Sequence, residues 1–224
     1  MCNFLHLIFA GRKSNMHIVV RSTKDQKQEL LQKGFEKNIE VEWISENEDI
    51  AAIKADAYFD LVFNDADIPN NSFISEKPVF VHAVICTCKE INHSNYIRVN
   101  AWNGFLNRPI IEIACVNNET KKMAIDVLNK LNWRHAFVAD DHGLIAARII
   151  AMIINEAFYA VEENVSTKEQ IDIAMKLGTS YPYGPFEWSK KIGLRNILYL
   201  LEKLSAHNKR YTISSLLVHE SQQF

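Results

Sequence analysis

Histidine is the side chain best suited to exchange a proton near neutral pH. His82, His93, His135 and His142 all lie in the first half of the chain or at its junction with the second. His82 ends an apolar, strand-like run and is the best placed to act as a base; its alternative role is a hydrogen-bonded histidine at a strand end. His142 is a second candidate. Glu112 lies four positions after Arg108, so it could pair with that cation or cap a strand. Arg21 follows the strand-like His17–Val20 and could attract a phosphate by charge. Cys86-Thr-Cys88 could clip a metal, but no second Cys/His pair lies at zinc spacing. Those thiols, with Cys2 and Cys115, therefore read as small buried groups in a reducing cytoplasm. The sequence holds no P-loop, H-E-x-x-H, Ser-His-Asp order or paired-carboxylate motif.

The elements that must position these groups alternate through the first half. His17–Val20, Ile39–Ile44, Phe59–Phe63, Pro78–Ile85, Tyr96–Val99, Ile110–Val116 and Ala136–Val138 read as strands. Asp25–Lys37, a short helix at Ile50–Lys54 and Thr120–Leu131 read as the intervening helices. Such alternation predicts a mostly parallel, doubly wound sheet. From His142 onward the pattern is helical. Leu144–Glu163 is apolar on nearly every face, so it must be buried in a bundle or against another subunit. Ser166-Thr-Lys-Glu169 reads as a capping box opening a helix over Thr167–Leu177, with Gly178 as its stop. Tyr181-Pro-Tyr-Gly-Pro185 interrupts helix, because proline lacks the amide donor. Further helices are expected over Phe186–Lys191 and Leu194–Leu204.

Composition sets the outer bounds. Of 224 residues, 48% are apolar and 23% charged, an ordinary globular balance. The formal net charge of −2 leaves no basic field for nucleic acid or an anionic membrane. Arg148 and Glu156 interrupt Leu144–Val161, the nearest approach to a membrane span. No nucleic-acid or membrane partner is expected, and the cytoplasm is the expected compartment. Residues 1–15 read as an extension ahead of a second start at Met16.

One stretch is recognisable. Met175-Lys-Leu-Gly-Thr-Ser-Tyr-Pro-Tyr-Gly-Pro-Phe-Glu-Trp188, followed by Lys191-Ile-Gly-Leu194, resembles the C-terminal signature of the 3-hydroxyacyl-CoA dehydrogenases. Asn155-Glu156-Ala157, Glu162-Glu163, Val165-Ser166, Ile171-Asp172 and Tyr211–Leu217 keep that family's order. The resemblance runs from about Asn107 to Leu217. It implies a Rossmann-like, mostly parallel sheet over 16–140, followed by an all-α C-terminal dimerisation domain over 141–224. It also implies a homodimer through helices of residues 144–204, NAD as cofactor and an acyl-CoA as substrate.

The residues that would carry that chemistry depart from the family pattern. The glycine-rich turn that meets the pyrophosphate is replaced by Arg21-Ser-Thr-Lys-Asp-Gln26, with Arg21 at the first glycine position. The ribose-binding acid has only a shifted candidate, Glu46, otherwise a solvated helix cap. By resemblance the catalytic histidine is Asn100, while Glu112 is kept twelve positions on. Asparagine cannot take a proton from a hydroxyl near neutral pH, although it can donate a hydrogen bond to a carbonyl. Two groups that would orient the substrate oxygen are matched by His82-Ala-Val-Ile85 and Ala147. Only Ser45–Tyr58 stands where the family has a long coenzyme A arm. The residues therefore predict doubtful NAD binding and a catalytically impaired member. The alternatives are an active oxidoreductase rebuilt around Asn100, Glu112 and His82, and a sensor that binds an acyl-CoA or nucleotide without turnover.

Overall fold

The computed structural model describes residues 16–63, 65, 68, 73 and 75–223. The expected extension over 1–15, with Cys2, lies outside these. The first half opens with β1 (Met16–Arg21), α1 (Lys24–Lys33) and β2 (Ile39–Ile44). It continues through β3 (Ala57–Asp60), β4 (Val79–His82), α2 (Cys88–Ile91) and β5 (Tyr96–Val99). It closes with β6 (Ile111–Cys115), α3 (Asn118–Lys130) and β7 (His135–Phe137). These strands make a seven-stranded sheet in the order β2-β1-β3-β4-β5-β6-β7. All pairs are parallel except β5 with β6. No helix separates those two strands, and a parallel return needs a long crossover, so β6 runs back beside β5.

Local chemistry moves several element ends from where the periodicity places them. The helix expected to reach Lys37 stops at Lys33, because Gly34 takes φ +85° and its amide donates back to Leu30 O. The short helix at Ile50–Lys54 contracts to a 3-10 turn over Ile50–Ala52, capped by Asp49 rather than Glu46. The strand expected at Phe59–Phe63 begins earlier and ends at Asp60. Pro78–Ile85 shortens to Val79–His82, since the chain turns toward the junction after His82.

The second half contains α4 (Ala146–Glu162), α5 (Lys168–Thr179), α6 (Pro185–Ile192), α7 (Leu194–Ser205) and α8 (Ser215–Ser221). Thr167, not Ser166, caps α5: its hydroxyl accepts from Gln170 N. Nor does Gly178 stop that helix. It lies inside it, and Ser180 takes the left-handed terminal position at φ +56°. Asn155 then ties α4 to the segment before α8, donating to Thr212 O and accepting from Ser214 N. In the proline-glycine segment, Gly184 passes so close to Asp172 that an added Cβ would overlap it. Asp172 Oδ1 in turn accepts from Phe186 N at 2.8 Å, fixing the start of α6.

One apolar cluster joins the halves. Trp102 and Phe105, from the β5–β6 connection, pack among Phe158, Phe186, Trp188 and Leu201. Gly104, at φ +95°, lies against the Trp188 ring where a Cβ would collide. Beside this cluster lies Arg98, wholly buried on β5. It donates to Ala83 O, Val84 O and Asp141 O, and closes a 2.7 Å ion pair with Asp140 Oδ1. Sequence reasoning missed this arginine. Its visible signal is a single cation inside the four-residue strand Tyr-Ile-Arg-Val.

Candidate functional site

Open α/β sheets bind ligands beyond the carboxyl ends of their strands, at the point where strand order reverses. Here the reversal falls at β1, with β2 on one side and β3 on the other. Arg21 ends β1, Asp60 ends β3, and the two are register partners. Arg21 Nε donates to Asp60 Oδ1 at 2.9 Å and its Nη2 to Oδ2 at 2.6 Å. The Asp60 side chain is almost wholly buried. Burial pushes its carboxyl above the ordinary aspartate value, against the pull of Arg21. The expected phosphate-attracting cation is thus engaged by an internal anion.

The start of α1 is occupied in the same way. Thr23 and Gln26 form a reciprocal capping box, and Gln26 Nε2 donates to Leu61 O and Ala101 O. A pyrophosphate site of this kind needs free amides and a turn without side chains. The residues here supply neither of those features. Glu46 is exposed, and the nearby loop is held by Glu48, whose carboxylate accepts from Ser45 N.

Asn100 and Glu112 do come together. Asn100 follows Val99, which pairs with Ile113 in the antiparallel ladder, so Glu112 stands one step further, opposite Asn100. Both line a pocket of about 250 Å³ with Phe105, Arg108, Ile111 and Val138. Glu112 neither caps a strand nor forms an ion pair with Arg108. Its carboxylate accepts from Ile145 N at 3.0 Å and from Ala146 N at 3.1 Å, capping α4, whose own cap residue Ile145 has no side-chain acceptor. Asn100 Oδ1 accepts from Trp102 N at 3.1 Å, while its Nδ2 is buried without a partner among the described residues.

His82 is not among the residues lining that pocket. Its Nδ1 accepts from Ala101 N at 3.0 Å, which places the proton on Nε2 in the neutral ring. Burial lowers its pKa, with Asp65 acting in the opposite direction. His142 bonds through Nδ1 to Ile85 O and stacks on His207 at the junction. Ala147 is buried core. Cys86 and Cys88 are buried thiols, pushed up by burial to about 11 and about 12, far from the thiolate a metal needs. Among the described residues no group of three or more His, Cys, Asp or Glu could hold a metal ion. No helix among them is long and apolar enough to cross a membrane.

Residues 143–220 match the family described as 3-hydroxyacyl-CoA dehydrogenase, C-terminal domain. The helical half is thus similar to the C-terminal domain of the 3-hydroxyacyl-CoA dehydrogenases. The 3-hydroxyadipyl-CoA dehydrogenase of Escherichia coli (strain K12) is 41% identical over 110 residues, which are 48% of this chain and 23% of that protein. The probable 3-hydroxybutyryl-CoA dehydrogenase of Bacillus subtilis (strain 168) is 36% identical over 88 residues, 38% of this chain and 31% of that one. The chain spans only about a quarter to a third of these curated relatives. Among solved structures, (S)-3-hydroxybutyryl-CoA dehydrogenase PaaH1 from Ralstonia eutropha has a TM-score of 0.70 at 15% identity and covers 94% of each chain. That likeness extends the dehydrogenase fold across both halves.

Proposed function

We propose that this chain is a non-catalytic member of the 3-hydroxyacyl-CoA dehydrogenase family, a binding or scaffold protein with a sheet domain over 16–140 and a helical domain over 141–224. The observation that carries this reading is the Arg21–Asp60 ion pair at the strand-order reversal. A dinucleotide bound there would have to displace a bidentate pair and leave a buried carboxylate alone. Two further substitutions support it. Asn100 stands where the family's base is expected, and loss of a general base alone costs about 10²–10⁴-fold in rate. Glu112 is engaged as a helix cap.

Thermal unfolding with NADH and acetoacetyl-CoA, separately and together, tests the reading. A ligand at a hundred times its Kd stabilises a single site by about 2.7 kcal/mol. The expected result is no change with NADH and no NADH consumption. A rise in melting temperature with NADH would overturn it. One observation favours a second reading, a rebuilt oxidoreductase: Asn100 and Glu112 share a pocket. Turnover abolished in both Asn100→Ala and Glu112→Gln would establish that alternative.

Helices within residues 144–204 are proposed to pair with a second copy. Helix α5 has no buried residue, and Ile173 and Leu177 on it are 52% and 81% exposed. Light scattering of wild type and Leu177→Glu checks this, with a dimer expected only for the former. The unpaired thiols of Cys86 and Cys88 support the cytoplasm as the proposed compartment.

A further inference from the structure

Two donor groups line the pocket between β5, β6 and the start of α4 without a partner among the described residues: the buried Asn100 amide and the partly exposed Arg108 guanidinium. Asn100 is only 7% exposed, and its Nδ2 has no partner among the described residues. The amide orientation is fixed, because Trp102 N–H donates to Oδ1 and only the oxygen can accept it. A buried donor left unpaired is unusual in a folded chain and calls for an explanation. Arg108 lines the same pocket. Its guanidinium stacks 4.0 Å from the Phe105 ring centre, and among the described residues it closes no ion pair. Burial pulls its pKa below the ordinary arginine value, with Glu112 and Glu29 opposing.

The one carboxylate in the wall does not satisfy these donors, since the amides of Ile145 and Ala146 engage it. The remaining lining is chiefly apolar: Ile110, Ile111, Ala136 and Val138. A cation stacked on an aromatic ring, a sealed amide donor and a short apolar wall together suit an acceptor-only anionic head on a small aliphatic body.

We propose that this pocket binds a small monocarboxylate, with one oxygen accepting from Asn100 Nδ2, the anion facing Arg108 and a body of a few carbons against Ile111 and Val138. Binding needs no nucleotide. The proposal deepens the non-catalytic reading by giving its pocket a ligand class, and rests on that reading in treating Glu112 as structural.

The test titrates butyrate and isobutyrate, at constant ionic strength, into the full chain labelled with ¹⁵N, with butan-1-ol as the uncharged probe. Saturable shifts of the Asn100 side-chain amide are expected with both carboxylates and none with the alcohol. Asn100→Asp keeps the acceptor for Trp102 and removes the donor, and Arg108→Gln removes the cation. Read from the backbone amides of the pocket, because Asn100→Asp has no side-chain amide, each should weaken binding at least about 10-fold, the usual effect of losing a charge-assisted hydrogen bond. Lys190→Gln, on the helical half, should leave affinity unchanged. Failure of both carboxylates to saturate below about 10 mM would overturn the proposal. So would equal affinity in wild type and both pocket variants. A separate NADH arm keeps the two readings apart. NADH binding beside intact carboxylate binding overturns only the non-catalytic reading, whereas inert NADH without carboxylate binding overturns only the proposed ligand.

Discussion

Arg21 and Asp60 are neighbours twice over: partners in the parallel β1–β3 register, and a bidentate ion pair beyond the strand ends. Removing one member of such a buried pair strands the other charge. Arg21→Met is therefore expected to destabilise the protein by about 3–5 kcal/mol. The double variant Arg21→Met/Asp60→Leu should recover most of that loss, because an apolar pair avoids the desolvation cost of both ions. Urea unfolding of the four proteins in the cycle gives the coupling. Simple additivity of the two single losses would show that the side chains do not act as a pair.

Glu112 offers a direct contrast between structural and catalytic roles. Its carboxylate accepts from the first amides of α4, a helix with no side-chain cap of its own. Glu112→Ala should cost about 1–2 kcal/mol of stability, the range for a lost cap with a favourable helix-dipole contact. A variant as stable as wild type would remove the capping role and return Glu112 to the candidates for chemistry.

How much of this was legible in the sequence depended on how local each cause is. The ranges of β2 and β5 follow from apolar patterning within the strands themselves, and the structure reproduces them. The end of α5 is not legible, because Gly178 resembles a stop while the left-handed residue is Ser180. The spacing of Asn100 and Glu112 is explained by the hairpin register, but the helix that Glu112 caps begins 34 residues after it. Arg98 was missed for the same reason. Its anionic partner Asp140 lies 42 residues on, and no periodicity connects them. Nor does any pattern reveal that Arg21 would be met by Asp60, since Asp60 reads simply as the polar position of an apolar strand.

The Arg98–Asp140 junction should make stability depend on acid. Burial disfavours the Asp140 carboxylate, but the Cys88 amide and the Arg98 guanidinium outweigh it and hold the group below its ordinary 3.8. Asp141 is lowered as well: burial opposes it, and Arg148 and the His142 amide prevail. A carboxyl whose pKa is depressed on folding contributes stability above its unfolded value and loses it as pH falls through the folded value. The urea midpoint should therefore fall steeply once pH drops below about 4, and Asp140→Asn should flatten that fall while lowering the midpoint near neutrality. An unchanged acid slope in Asp140→Asn would show that other carboxylates set it.

Two glycines in the same motif should respond with opposite sign. At Gly184 an added Cβ would meet the backbone of Asp172, at the contact where Asp172 also holds the amide of Phe186. Backbone cannot rotate away as a side-chain tip can, so Gly184→Ala is expected to cost about 1–3 kcal/mol through overpacking. Gly178 lies within α5, with no atom of the described residues outside its own helix turn within 4 Å of its notional Cβ and an ordinary negative φ. There alanine removes backbone entropy from the unfolded chain and adds helix propensity, so Gly178→Ala should stabilise by about 0.5–1 kcal/mol. Paired thermal melts decide the matter. If Gly184→Ala is neutral, the approach of α6 to Asp172 is loose enough to admit a methyl group, and the proline-glycine segment serves only to break the helix.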